Sequence, residues 1–373
     1  MSVRWCGLRE RITVERDDRV LIVLTECLGD FARRHPGHAA EAVDLLVRQS
    51  APPYGPGLRL AALGRLADRA PDRLPADLVP TVVRLLRDRS GHRPADPGGP
   101  GRPDTCTDTL IGRLRRLRPP DEEGARLLRG LHSALDDRVD ERIALLAGQL
   151  TLPDAVDRCN AVWMSAGLFR TWRADCTRPV ALIGEQLDDA DDRLRDAAVS
   201  ILDGLSELAA PAAGSLAALV ISRPDLWVRR WEHGAPTLGS PLETLAQTGD
   251  ARAVPVLAQM LAGPVVPDNA ASAVARLGPA AAPLAPALRR RLAETPLDSP
   301  EVTARVGPVL SALRTLRDTE AVPEIVRLLR DARHGTPAGH ALVPLALRAL
   351  SDFGPAAREA LPLPAPCWRP STR

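Results

Sequence analysis

The chain predicts an all-α fold of the α-solenoid type, and three observations carry that expectation. The stretch Leu245 to Leu261 (LAQTGDARAVPVLAQML) aligns without a gap on Leu313 to Leu329 (LRTLRDTEAVPEIVRLL), 68 residues further on. Asp250, Ala253, Val254 and Pro255 fall on Asp318, Ala321, Val322 and Pro323. A spacing of 68 residues is two units of about 34, the length of one helix pair in a stacked-repeat protein. Each copy is followed by a second apolar stretch that ends in Gly-Pro-Ala-Ala, at Gly278 and Gly354. The composition agrees: 45% of residues are hydrophobic but 3% aromatic, so Ala and Leu build the interior. Small aliphatic side chains suit helices packed side by side, whereas sheets favour aromatic and β-branched residues.

Bulk properties bound the function. A solenoid is one continuous body whose length counts repeats, so 373 residues need not mean several domains. All 49 positive side chains are Arg, without one Lys, which reads as GC bias in the encoding genome, with planar, bidentate contacts to carboxylates or phosphates as the competing reading. Net charge is +2 but unevenly spread. Residues 1–120 hold 21 Arg against 15 acids, residues 121–210 hold 10 against 18, and residues 211–373 hold 18 against 14. A duplex-binding solenoid carries a basic stripe along its length, so the acidic middle disfavours a nucleic-acid partner. Six cysteines (Cys6, Cys27, Cys106, Cys159, Cys176, Cys367) form no C-x-x-C pair and read as reduced thiols. Met1 to Arg19 is studded with charges and no apolar run is long enough for a bilayer, so no signal peptide or membrane span is expected and the expected location is the cytoplasm.

Taken in order, Asp17 to Phe31 reads as the second helix of a pair, Ala39 to Val47 as a first helix, Leu58 to Ala70 as a second and Leu78 to Asp88 as a first. Leu28-Gly29 with His35-Pro36 repeats as Leu63-Gly64 with Ala70-Pro71 at a shift of 35. Ser90 to Thr107 (SGHRPADPGGPGRPDTCT) interrupts the pattern, since each interior Pro costs a helix about 3 kcal/mol. Helices resume over Pro119 to Leu152, where Leu135 to Val139 echoes Leu187 to Leu194, and a long helix over Pro153 to Trp172 carries Trp163, Met164, Leu168 and Phe169. The clearest unit is Thr177 to Leu208: a helix, an acidic turn at Asp188 to Asp192, and a second helix with Leu194, Ala197, Ala198, Ile201, Leu202, Leu205 and Leu208 on one stripe. An Asp of that turn caps the helix and the others favour its positive end. The last clear helix ends near Phe353, and the Pro-rich tail from Pro362 to Arg373 is expected to fray.

These turns carry a resemblance. Asp192-Arg193-Leu194-Arg195 with Ala197-Ala198, Ala273 to Ala281 (AVARLGPAA), Ala321 to Asp331 (AVPEIVRLLRD) and Leu60 to Leu66 (LAALGRL) resemble the HEAT repeat family, including its bacterial branch similar to phycobilisome-lyase-type repeats. The resemblance implies a right-handed superhelix of about eight helix pairs, with second helices lining a concave face that binds a partner protein or peptide. It is of the repeat alone, so no chromophore chemistry is carried over.

The expected organisation is N-terminal repeats over residues 1–89, a Pro/Gly-rich linker over 90–107, a solenoid with an irregular middle over 108–361 and a tail over 362–373. Trp163, Trp172, Trp227 and Trp231 bracket the acidic middle, and Trp227-Val228-Arg229-Arg230-Trp231 places two indoles four apart on one expected helical face with Arg between them. Trp163, Trp172, Trp227, Arg229, Arg230 and Trp231 are therefore the candidate partner-binding residues, with local packing as the competing reading. His35-Pro36-Gly37-His38 is a poor metal site, lacking further ligands at matched spacing. Neither a Gly-rich phosphate loop nor Gly-x-Ser-x-Gly occurs, and the Arg runs at 113–118 and 289–291 read as solvated helix ends.

Three functions stand open: a protein-interaction scaffold that is not an enzyme and needs no cofactor or metal; an alkylpurine DNA glycosylase of HEAT-like build, with Trp163, Trp172 and Asp175 cast in the parts that resemblance implies; and a structural subunit of a larger assembly. The acidic surroundings of Asp175 oppose the glycosylase.

Overall fold

The computed structural model describes residues 3–91, 121–135, 137–171, 175–263, 265–296, 302–332 and 337–360. The linker expected over 90–107 lies outside them from residue 92 onward, as do Cys106, Trp172, the Arg run at 113–118 and the tail 362–373. Contacts divide the chain into two compact units, Met1–Ile201 and Leu202–Arg373.

The first unit opens with α1 (Val3–Val14), which the charge pattern at the N-terminus does not announce. Trp5 seats it: the ring is fully buried, its N–H donates to Glu41 at 2.9 Å, and it stacks on Phe31 and His38. His35 lies against Phe31, so both histidines of the His-Pro-Gly-His turn are ring partners in an aromatic cluster. Asp17 then starts α2 (Asp18–Arg34) by accepting from the N–H groups of Arg19 and Val20, which satisfies two of the orphan donors of a helix start. There follow α3 (Ala39–Gln49), α4 (Pro56–Arg69) and α5 (Leu78–Gly91), each within two residues of its expected start. Beyond lie α6 (Glu122–Ala134), capped by Asp121, then α7 (Val139–Leu150), α8 (Ala155–Thr171), α9 (Thr177–Glu185) and α10 (Asp192–Asp203). Asp191 caps α10 through the N–H groups of Arg193 and Leu194, the part foreseen for the acidic turn.

Short turns and apolar stripes sort these helices into two layers. In one, α2 packs on α4, α4 on α6 and α6 on α8; in the other, α5 packs on α7 and α7 on α9. Contact between alternate helices is what stacked pairs produce. The echo between the two acidic turns is one of residue types alone: α7 starts without a side-chain cap where Asp191 caps α10, and α7 follows its turn while α9 precedes its own, yet both share a layer. Among the described residues of this unit, one apolar cluster gathers around Trp5, Leu28, Leu46 and Leu66 and another around Leu58, Val82, Leu85, Leu131 and Leu145.

The second unit comprises α11 (Ala213–Ser222), a hairpin of β1 (Val228–Arg229) and β2 (Thr237–Leu238), then α12 (Ser240–Gln247), α13 (Val254–Ala262), α14 (Ala270–Leu277), α15 (Ala285–Glu294), α16 (Val302–Thr315), α17 (Val322–Asp331) and α18 (Pro337–Phe353). Here too α12, α14, α16 and α18 pack in sequence, with α13, α15 and α17 as the opposing layer. The 68-residue repeat is therefore two helix pairs, with Pro255 and Pro323 in the first turns of α13 and α17, where a missing N–H costs nothing.

The repeats coincide down to backbone conformation. Gly249 and Arg317, aligned residues, both take positive φ (75° and 53°). Ser206, Gly278 and Gly354 also have positive φ, and each opens a seven-residue 3-10 turn. Three residues on, each turn buries an alanine: Ala209, Ala281 and Ala357. The aligned Asp250 and Asp318 each pair with an Arg but with different ones: Asp250 holds Arg252, whose N–H it also accepts from, and Asp318 holds Arg289 of α15 at 2.9 Å. No helix among the described residues is long and apolar enough to cross a membrane.

Candidate protein-binding surface

The segment holding most of the candidate residues is a hairpin, which corrects the helical placement of Trp227 and Trp231. Pro224, Gly234, Pro236 and Gly239 crowd it, and a helix cannot absorb that many breaks. β1 pairs antiparallel with β2, Val228 opposite Leu238 and Arg229 opposite Thr237. Gly234 takes φ of 113° in the connection.

Its base is tightly determined. A Cβ on Gly239 would lie 1.8 Å from the Leu226 carbonyl oxygen, so only Gly fits that approach. The Gly239 N–H donates to the Trp227 carbonyl at 2.8 Å, and the Trp227 indole N–H donates to the Val220 carbonyl at 2.6 Å. Trp227 is thus half-buried and ties the hairpin to α11. Trp231 is 43% exposed, one of few large hydrophobics so displayed among the described residues. Its N–H donates to Thr237 Oγ1 at 3.0 Å, and the Arg229 guanidinium sits 5.5 Å from its ring while donating to Ser240 Oγ at 2.9 Å. Arg230 is exposed, and its side chain makes no hydrogen bond or ion pair among the described residues.

A polar chain runs beneath. The Leu238 N–H donates to Asn269 Oδ1 at 2.7 Å, Asn269 Nδ2 donates to Glu243 at 2.8 Å, and Arg276 donates to the other Glu243 oxygen at 3.0 Å. Thr244 Oγ1 lies 3.1 Å from Asp203. Burial holds the Asp203 carboxyl above its ordinary range, opposed by the Thr244 hydrogen bond and reinforced by Glu243. The surface therefore offers an indole, two guanidinia and neighbouring carboxylates on fixed backbone.

The first unit has a surface of its own, a cleft of about 330 Å³ over α2, α4 and α6. Ala61, Gly64 and Gly130 give it a floor of small side chains, and Glu26, Arg65, Asp68 and Arg126 line its walls. Arg126 pairs with Glu26 at 3.2 Å. None of these residues was singled out by sequence; they lie on three helices, and only stacking brings them together.

Of the other candidates, Trp163 is half-buried in α8, and its indole N–H meets no nitrogen or oxygen acceptor among the described residues. It faces the Cys159 thiol, whose pKa burial pushes up to about 11. Trp172 lies outside the described residues. Asp175 is exposed, and hydrogen bonds first from the Thr177 hydroxyl and then from the Thr177 N–H, at 2.9 Å, hold its carboxylate below the ordinary range and give it a part at the start of α9. In the Arg289 to Arg291 run, Arg289 pairs with Asp318 and Glu320, and Arg291 donates to the Leu261 and Gly263 carbonyls. Structural contacts thus occupy two members of a run read as solvated.

No known family's sequence profile matches the chain, and no characterised protein's sequence does. Among solved structures, an engineered protein is similar at 15% identity with a TM-score of 0.45, covering 92% of this chain and 87% of that one. Kap121p bound to Pho4p is similar at 15% identity with a TM-score of 0.42, covering 93% of this chain and 37% of that one. Kap121p alone gives 14% identity and 0.38 over the same shares. The chain thus spans well under half the length of Kap121p.

Proposed function

We propose that the protein is a HEAT-type interaction scaffold, a binding protein and not an enzyme, which holds a partner polypeptide on the hairpin of its second unit. The observation that supports this reading is Trp231: a large indole left 43% exposed, under a guanidinium, on a hairpin whose base is fixed. Trp231 and Arg229 supply little to the interior, whereas exposed aromatic and Arg side chains are the usual anchors of interfaces. Pre-ordering them on a rigid base lowers the cost of binding. Trp227 serves as the anchor of the hairpin, and Arg229, Arg230 and Trp231 as its contacts. The cleft over α4 is a second surface suited to the same task, with its charges placed around a floor of small residues.

The test is capture from native-host lysate on immobilised full-length protein, with and without nuclease, followed by mass spectrometry. Specific proteins that survive nuclease and are lost on Trp231→Ala are the expected result. Capture that disappears with nuclease, or that is indifferent to Trp231→Ala, would overturn the reading.

A further inference from the structure

We infer that the outer edge of β1 accepts an extended acidic segment of another polypeptide as a third strand, an inference that rests on the binding reading above. Pairs in an antiparallel ladder alternate between hydrogen-bonded and open. The Gly239 N–H donates to the Trp227 carbonyl, and Arg229 stands opposite Thr237, so residues 227 and 229 turn their polar groups inward to β2. Val228 and Arg230 turn theirs outward, as do Leu238 and Pro236 on the other strand.

The two edges differ. On the β2 side the Leu238 N–H is taken by Asn269 Oδ1 at 2.7 Å, and the Pro236 carbonyl accepts from the Asp268 N–H at 3.0 Å. That edge is closed. On the β1 side the N–H and carbonyl groups of Val228 and Arg230 meet no partner among the described residues. An edge with unpaired groups at alternate residues is a template for strand addition.

Charge selects the occupant. Side chains alternate across a strand, so Arg229 and Trp231 lie on one face and Arg230 on the other. A strand added beside β1 would run between guanidinia on both faces. Opposite charges across strands stabilise the pair and like charges oppose it. A second copy joined β1 to β1 would set Arg against Arg. The chain's own long stretches outside the described residues are also of the wrong sign: 92–120 holds six Arg and three Asp, and 361–373 holds two Arg and no acid, while 297–301, with Asp298 and Glu301, is only a five-residue link before α16. An acidic segment of a different polypeptide is what remains.

The probe is a fluorescein-labelled (Glu-Val)5 peptide titrated into the full chain by anisotropy. Its fully N-methylated analogue keeps every carboxylate and loses every N–H, and is expected to bind roughly tenfold weaker or worse. Arg230→Pro removes an N–H that lies outside the β1–β2 ladder, and the extended Arg229 before it tolerates a following Pro. It is expected to weaken binding well beyond Arg230→Ala, which removes the charge alone. Equal binding of the N-methylated peptide, or of (Lys-Val)5, overturns the inference. A concentration-dependent dimer in light scattering that Arg230→Pro abolishes would overturn it in favour of a second copy. If the peptide arms fail while lysate capture still depends on Trp231, strand addition is wrong and the scaffold stands; if capture fails too, both are wrong.

Discussion

The interior of the second unit and that of the first are built on different principles. Between α12 and α18 the buried side chains are Leu, Val, Ala, Ile, Phe and Pro, with Thr244 as the buried polar exception among the described residues. Across α6 to α8 the buried set includes His132, Arg142, Gln149, Asp157, Asn160 and Ser165. His132 Nε2 lies 3.2 Å from Gln149 Oε1, and His132 Nδ1 and Gln149 Nε2 meet no hydrogen-bond partner among the described residues. An apolar layer leaves a repeating stripe in the sequence, whereas a polar layer is satisfied residue by residue and leaves no common pattern. The 68-residue repeat, the longest match within the chain's sequence, thus falls where the interior is driest.

The sharpest way to break this contrast is by truncation. Leu245→Ala, fully buried in α12, is expected to cost about 3 kcal/mol, read as lost hydrogen-exchange protection in α12 and α14. The combined His132→Leu and Gln149→Leu change should cost far less or stabilise, because replacing both members of a half-satisfied pair by apolar groups removes the desolvation penalty. A large loss there would mean that the polar layer is required for the stack.

Acid tests the same layer. Burial lowers the His132 pKa from 6.5 to about 4, with Gln149 opposing the shift. The unfolded chain then binds the extra proton between those values, so stability is complete above pH 6.5 and falls as pH drops toward 4, by roughly 3 kcal/mol. Urea unfolding of α6 and α7, followed by hydrogen exchange at pH 7 and pH 4.5, should show this loss in the wild type and less of it in His132→Gln. An equal loss in both would assign it to other groups.

Smaller effects refine the comparison inside the second unit. Gly249→Ala forces a side chain into positive φ and is expected to cost about 1 kcal/mol. Arg317→Gly at the aligned turn should gain about 0.5 kcal/mol, the relief of strain being partly offset by a more flexible unfolded chain. Thermal melts of the two variants should move in opposite directions. The smallest change is expected at Trp231→Ala, within about 0.5 kcal/mol of wild type, because the indole is exposed; a large drop in melting temperature would show that it supports the fold.

Much of the fold was legible because it rests on local rules. Asp17 and Asp191 announce α2 and α10 by capping, and Pro255 and Pro323 announce α13 and α17 by tolerating the first turn. The hairpin was not legible from Trp227 to Trp231, since two indoles four apart with Arg between them satisfy a helix as well as a strand. Its decisive contact, the backbone of Gly239 against Leu226, joins residues thirteen apart. The flanking Pro224, Gly234 and Pro236 were the available signal. Glu26, Gly64 and Arg126 could not be grouped from spacing, because the cleft depends on how three helices align. Asp203, Glu243 and Asn269 were missed for a similar reason: nothing near them in sequence distinguishes them from ordinary surface residues.

The turns opened by Ser206, Gly278 and Gly354 have a consequence for how such a chain is assembled and altered. Each holds its own conformation with one left-handed residue and one buried alanine, and they recur 72 and 76 residues apart. A cut placed at these seams would leave complete turns on both sides, so a gene duplication or an engineered graft between them would exchange whole modules. The four-residue difference between the two intervals shows that module length itself has drifted while the seam has kept its geometry.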